Sequence, residues 1–219
     1  MTAYIIRSKN VNATWAIIGI NLIVGFITLS LQYTSPREFT WIIVEFGSIP
    51  LYTVRWIQPY RLLTSMFLHG SFIHLFLNMF ALFIFGPDIE RVLGKARYLL
   101  LYFLSGVMAD IIHAYFIAFF FPYKQLLLAP AIGASGAIFG VMAAFAVLFP
   151  FRRLVVFMGF PIIAPAIVVI VLMTLIQMVY AFLAPFSQVA YAAHIGGFLT
   201  GLILTLIYKP SLRRIPLFY

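Results

Sequence analysis

GASGAIFGVMAAFAVLF, residues 133–149, sets three small residues around one serine and then stays apolar as far as Pro150. It carries no charged side chain, and Ser135–Phe149 is near the lower limit of length for crossing a hydrocarbon core of about 30 Å. Five more apolar runs flank it: Thr14–Gln32, Leu68–Phe85 and Tyr98–Phe121 before it, Ile162–Ala184 and Val189–Tyr208 after it. Gly86-Pro87, Pro122, Pro150, Pro185 and Lys209-Pro210 follow the later runs, and such residues end helices. The pattern predicts an all-α, polytopic membrane protein with six transmembrane helices.

Composition agrees. The chain has 219 residues, 64% of them hydrophobic and 9% charged, with a mean hydropathy of +1.10. Soluble domains run to roughly 45–50% apolar and about 25% charged residues. A soluble core of this size has no room for that much apolar surface, so lipid must solvate most of it. The first run, Thr14–Gln32, is longer than the roughly 7–15 residues of a secretory signal core, and it reads as a retained span. The absence of cysteine excludes disulfides and thiol catalysis.

The net charge of +9 would suggest a nucleic-acid partner in a soluble protein. Here the basic residues sit in short loops, which points to membrane orientation and to no nucleic acid. Ten of them fall on one side: Arg7, Lys9, Arg91, Lys95, Arg97, Arg152, Arg153, Lys209, Arg213 and Arg214. Four fall on the other: Arg37, Arg55, Arg61 and Lys124. The positive-inside rule then makes residues 1–13 a cytoplasmic N-terminal segment, 14–208 the membrane domain and 209–219 a cytoplasmic tail. The first outer loop, Tyr33–Phe67, carries Trp41, Tyr52, Trp56, Tyr60 and Phe67. Aromatic residues of this kind favour the interface, so a structured, membrane-embedded loop is expected.

Polar side chains inside spans are costly and call for a reason. His74 and Asn78 lie early in the second run, Ser135 opens the fourth and His194 lies early in the sixth. These three runs enter from the same face, so the four groups share a depth within roughly 15 Å of the outer surface. A serine becomes a nucleophile when a base takes its proton, and histidine is the usual base. Gly197 and Gly201 follow His194 at helical spacing, and Gly136 and Gly140 offer a matching stripe after Ser135. Small residues let helix backbones approach closely, which would bring His194 to Ser135. A helix N-terminus at Ser135 favours developing negative charge. His74 and Asn78, four apart, share a face and can both donate to an oxyanion. No acid lies near His194 in sequence, so packing is expected to orient its ring. Asp110 and His113 read as a buried hydrogen-bonded pair. Asn21, Thr174 and Gln177 read as packing contacts. Paired membrane aspartates and a His-Glu-x-x-His motif are both missing.

Over roughly residues 10–208 the chain resembles the rhomboid family. Gly133-Ala134-Ser135-Gly136 matches its Gly-x-Ser-Gly motif, His74 to Asn78 its His-x-x-x-Asn, and Ala193-His194 with Gly197 and Gly201 its Ala-His-x-x-Gly-x-x-x-Gly. Glu90-Arg91 ahead of Gly94 echoes its Glu-x-Arg segment, and Tyr60-Arg61 stands where the family carries Trp-Arg. The resemblance implies a rhomboid-like six-helix bundle and a serine endopeptidase acting in or near transmembrane segments of membrane proteins. The dyad would be Ser135 and His194. The oxyanion hole would comprise His74, Asn78 and the Ser135 amide, supported by Gly133, Gly136, Phe139, Gly197 and Gly201. Phe139 takes the aromatic position that packs on the histidine. Pro185, Phe186, Ser187 and Gln188 would form a short outer cap. No cofactor or metal is implied; the partners are transmembrane protein substrates and the bilayer, and the expected site is the cell membrane. Two rival readings stay open: a catalytically silent relative that binds or escorts membrane proteins, and a small transporter.

Overall fold

The spans are apolar all round, so hydropathy alone does not choose which faces meet. Small residues and the few buried polar groups make that choice. The computed structural model describes residues 2–4, 10–157, 159–212 and 214–216. Arg7, Lys9 and Arg213, counted above for orientation, lie outside them. In chain order the helices are α1 (Asn12–Thr34), α2 (Pro36–Phe46), α3 (Pro50–Val54), α4 (Arg61–Thr64), α5 (Phe72–Leu93), α6 (Lys95–Phe120), α7 (Lys124–Leu127), α8 (Ser135–Leu148), α9 (Ala166–Leu183) and α10 (Tyr191–Tyr208). Five of them, α1, α5, α6, α9 and α10, are long and apolar enough to cross a membrane. The sixth, α8, has 14 residues, about 21 Å at 1.5 Å per residue. It stands among α5, α6, α9 and α10, and 12 of its residues are buried. The all-α bundle expected from the sequence is therefore present, with its shortest span at the centre.

Two short antiparallel ribbons accompany the helices. Strand β1 (Thr2–Tyr4) pairs with β4 (Arg214–Pro216), which brings the two ends of the chain together. Strand β2 (Arg153–Phe157) pairs with β3 (Pro161–Pro165). The second ribbon corrects the fifth run. The helix expected from Ile162 begins only at Ala166, because Pro165 biases the residue before it towards extended backbone and Ile162-Ile163 suit a strand.

The second run also ends elsewhere than expected. Helix α5 passes through Pro87 and stops at Gly94, whose φ of 79° favours glycine. Membrane helices accommodate proline because neighbouring groups satisfy the freed carbonyl. The extra turns have a purpose. They carry Glu90, fully buried, to the N-terminus of α1, where it accepts from the Ala13 amide at 3.0 Å and from the Thr14 amide and hydroxyl at 2.7 Å each. Helix α1 has no side-chain cap of its own, so a carboxylate from another span satisfies its orphan donors and its dipole.

The outer loop is structured, as its aromatic content predicted. Helices α2, α3 and α4 and a turn of 3-10 helix at Ser65–Phe67 fill it. Arg61, almost fully buried, ties it together by donating to Gln58 Oε1 at 2.6 Å, to the Gly47 carbonyl at 3.2 Å and to the Val44 carbonyl, and it pairs with Glu45. Trp41 and Trp56 stay on the surface, where an interface would meet them.

Candidate active site

The site forms where the N-terminal ends of α5, α8 and α10 converge. Gly133 sits two residues ahead of Ser135 with φ near +123°, a conformation that L-residues avoid. Its amide donates to the Ser65 carbonyl at 2.9 Å. A side chain there would strike His74, whose Nε2 lies 2.7 Å from the Cβ position, with Asn78 Nδ2 at 3.7 Å. The turn thus presses its backbone against both side chains. It then releases Ser135 as the first residue of α8, whose opening turn has no side-chain cap.

Helix α10 supplies His194 from its first turn. Its approach to α8 is set by glycine. A Cβ on Gly197 would overlap the Gly136 carbonyl, and one on Gly201 would overlap the Gly140 backbone. This contact brings His194 Nε2 to 2.8 Å from Ser135 Oγ. The Phe139 ring stacks on the imidazole, with centroids 4.5 Å apart and planes 7° from parallel. Ser135, His194 and Phe139 therefore meet at one place, with Gly197 and Gly201 along the same helix contact.

The donor side lies against Gly133. Asn78 is buried, and its Nδ2 has no hydrogen-bond partner among the described residues. A buried unused donor beside a helix N-terminus is unusual and suits a group that arrives during a reaction. His74 is held by the turn ahead of it, where the Ser71 hydroxyl accepts from its amide at 3.2 Å. His69, in that same turn, meets the His74 ring edge-on at 5.0 Å. A small cavity reaches Ser135 between Asp110, Ile132, Gly133 and Ala190.

Two expectations change. Asp110 does not pair with His113. Its Oδ2 accepts from the Ser65 hydroxyl at 2.7 Å, because the outer loop folds over α6 and offers a closer donor. Nor is His194 oriented by packing alone. Gln177 on α9 places Oε1 2.8 Å from His194 Nδ1. The available signal was one long amide side chain in an otherwise apolar span, which is costly without a partner. Asn21 and Thr174 bond to carbonyls of their own helices at 2.9 and 2.8 Å, as packing contacts do. The Pro185–Gln188 segment links α9 to α10, with exposed Phe186 stacked on Tyr123 at 5.8 Å. Among the described residues, no three His, Asp or Glu side chains gather as metal ligands.

Fold and site define a polytopic helical membrane protein with a partly buried serine–histidine pair at one end of its bundle. The Rhomboid domain family matches residues 57–211, and the chain belongs to that family. It is 34% identical over 155 residues to RHOMBOID-like protein 4 of Arabidopsis thaliana, covering 70% of this chain and 35% of the relative. It is 31% identical over 150 residues to Rhomboid protein 1, mitochondrial, of Saccharomyces cerevisiae, covering 64% and 39%. It is 34% identical over 131 residues to Rhomboid protease GluP of Bacillus subtilis, covering 60% and 23%. The chain thus spans less than half the length of these relatives.

Proposed function

We propose that this rhomboid-family chain is an intramembrane serine endopeptidase that hydrolyses peptide bonds in or near transmembrane segments of other membrane proteins. The observation that carries the reading is the 2.8 Å contact from His194 Nε2 to Ser135 Oγ. Ser135 Oγ attacks the scissile carbonyl carbon while His194 Nε2 takes its proton. The carbonyl oxygen gains the negative charge and receives hydrogen bonds from the Ser135 amide, Asn78 Nδ2 and His74. The C–N bond then breaks, and His194 returns its proton to the leaving amine. Water, deprotonated by His194, attacks the acyl-serine, releases the new carboxyl end and restores the hydroxyl.

The site's depth fits substrates that are themselves membrane-embedded. A helical substrate must unwind locally, because its carbonyls are otherwise bonded, and a small residue before the cut suits the small cavity. The Pro185–Gln188 segment moves to admit substrate. The distribution of basic residues supports a cytoplasmic position for both termini and a site towards the outer face of the cell membrane.

The test is cleavage of a purified single-span protein in liposomes, with fluorophosphonate labelling of Ser135 alongside and Ser135→Ala as control. Cleavage and labelling that both vanish in the variant support the reading. A wild-type protein that does neither is a silent relative that binds membrane proteins without cutting them.

A further inference from the structure

We infer that Gln177 is a positioning residue for His194, fixing the imidazole with its proton on Nδ1 and its lone pair on Nε2. The inference rests on the hydrolase reading for its kinetic consequence but not for the tautomer itself. Only an imidazole bare at Nε2 can take the Ser135 proton, so something must hold hydrogen on Nδ1. Phe139 is insufficient. Its ring lies parallel to the imidazole, and stacking restricts the plane of a ring without telling one flip state from the other. The polar contact at Nδ1 does. Gln177 Oε1 faces that nitrogen at 2.8 Å; an amide oxygen only accepts, so this orientation of the carboxamide pairs with Nδ1–H.

The rest of α9 supports the assignment. Its residues are AIVVIVLMTLIQMVYAFL, in which Gln177 carries the one carboxamide. Thr174 is satisfied within its own helix by the Ile170 carbonyl, whereas Gln177 reaches across to α10. A neutral acceptor also suits the setting, since a carboxylate within a span is costly.

The experiment compares wild type, Gln177→Met and Gln177→Glu. Methionine keeps the length and removes the acceptor; glutamate keeps an acceptor. Nitrogen-15 spectra of labelled histidine, with His194 assigned by its substitution, are recorded at neutral pH. They should show the Nδ1–H tautomer in wild type and a mixture in Gln177→Met. Turnover of the single-span substrate by Gln177→Met should drop about 10- to 100-fold in kcat, less than for a lost orienting carboxylate, with KM within twofold. Glutamate should recover most of that loss, and Gln177→Met should melt near wild type. An Nε2–H tautomer in wild type overturns the inference, as does a Gln177→Met kcat within twofold of wild type, or a glutamate variant no better than methionine. A wild type with the Nδ1–H tautomer that neither cleaves nor labels instead ends the hydrolase reading and leaves the tautomer assignment standing.

Discussion

Helices α8 and α9 are both apolar and unmarked by charge, yet they occupy opposite environments. In α8, SGAIFGVMAAFAVL, 12 of 14 residues are buried. In α9, AIVVIVLMTLIQMVYAFL, only Ala166, Ile170, Thr174 and Ala181 are. Hydropathy does not separate the two, but side-chain size does. Lipid tails are as apolar as leucine, so nothing drives large side chains together inside a bilayer, whereas glycine and alanine let backbones meet. The small-residue helix goes to the centre and the large-residue helix faces lipid. The Ser135–His194 pair sits on the close contact of α8 with α10, while the lipid-facing α9 contributes a single polar contact to it.

The sharpest way to break this contrast is at the head of α8. Ser135→Ala and His194→Ala should each cut turnover by about 10³-fold or more, with melting unchanged; a variant still cleaving substrate would move the reactive centre elsewhere. Asn78→Ala tests whether the same end of α8 stabilises an oxyanion. Loss of one such donor should lower kcat by roughly 10²–10³, and a rate within threefold of wild type would remove Asn78 from the hole. Gly201→Leu attacks the contact with α10 itself. Overpacking of this kind costs about 1–3 kcal/mol or more, so thermal unfolding should shift downward and labelling of Ser135 should fall with it. An unshifted melting curve would mean that the two helices do not meet there. The smallest effect belongs to α9, where Leu175→Ala on the lipid-exposed face should change stability by no more than about 0.5 kcal/mol. A larger loss would show that this face is covered by protein.

Much of the site was legible because its parts are local. Gly133-Ala134-Ser135-Gly136, the four-residue spacing of His74 and Asn78, and the glycines after His194 each make sense within one helix. The misreadings share a different cause. Pro87 reads as a stop because local rules forbid proline in a helix interior, yet α5 continues through it and places Glu90 against Ala13 and Thr14. Asp110 and His113 share a helix face and so read as a pair, yet the partner of Asp110 is Ser65, 45 positions away.

From the order of its residues alone, the chain determined that lipid would be its solvent, that six apolar segments would form helices, and which serine and histidine could react. Periodicity and polarity act within a few residues, so one dimension suffices for them. Only the folded bundle decided that Gln177 meets Nδ1 of His194, that Glu90 caps a helix it is not part of, and that Asn78 lies beside Gly133 with a donor unused among the described residues. Those outcomes depend on distances between spans far apart in the chain, and such distances are set by how small side chains allow backbones to approach.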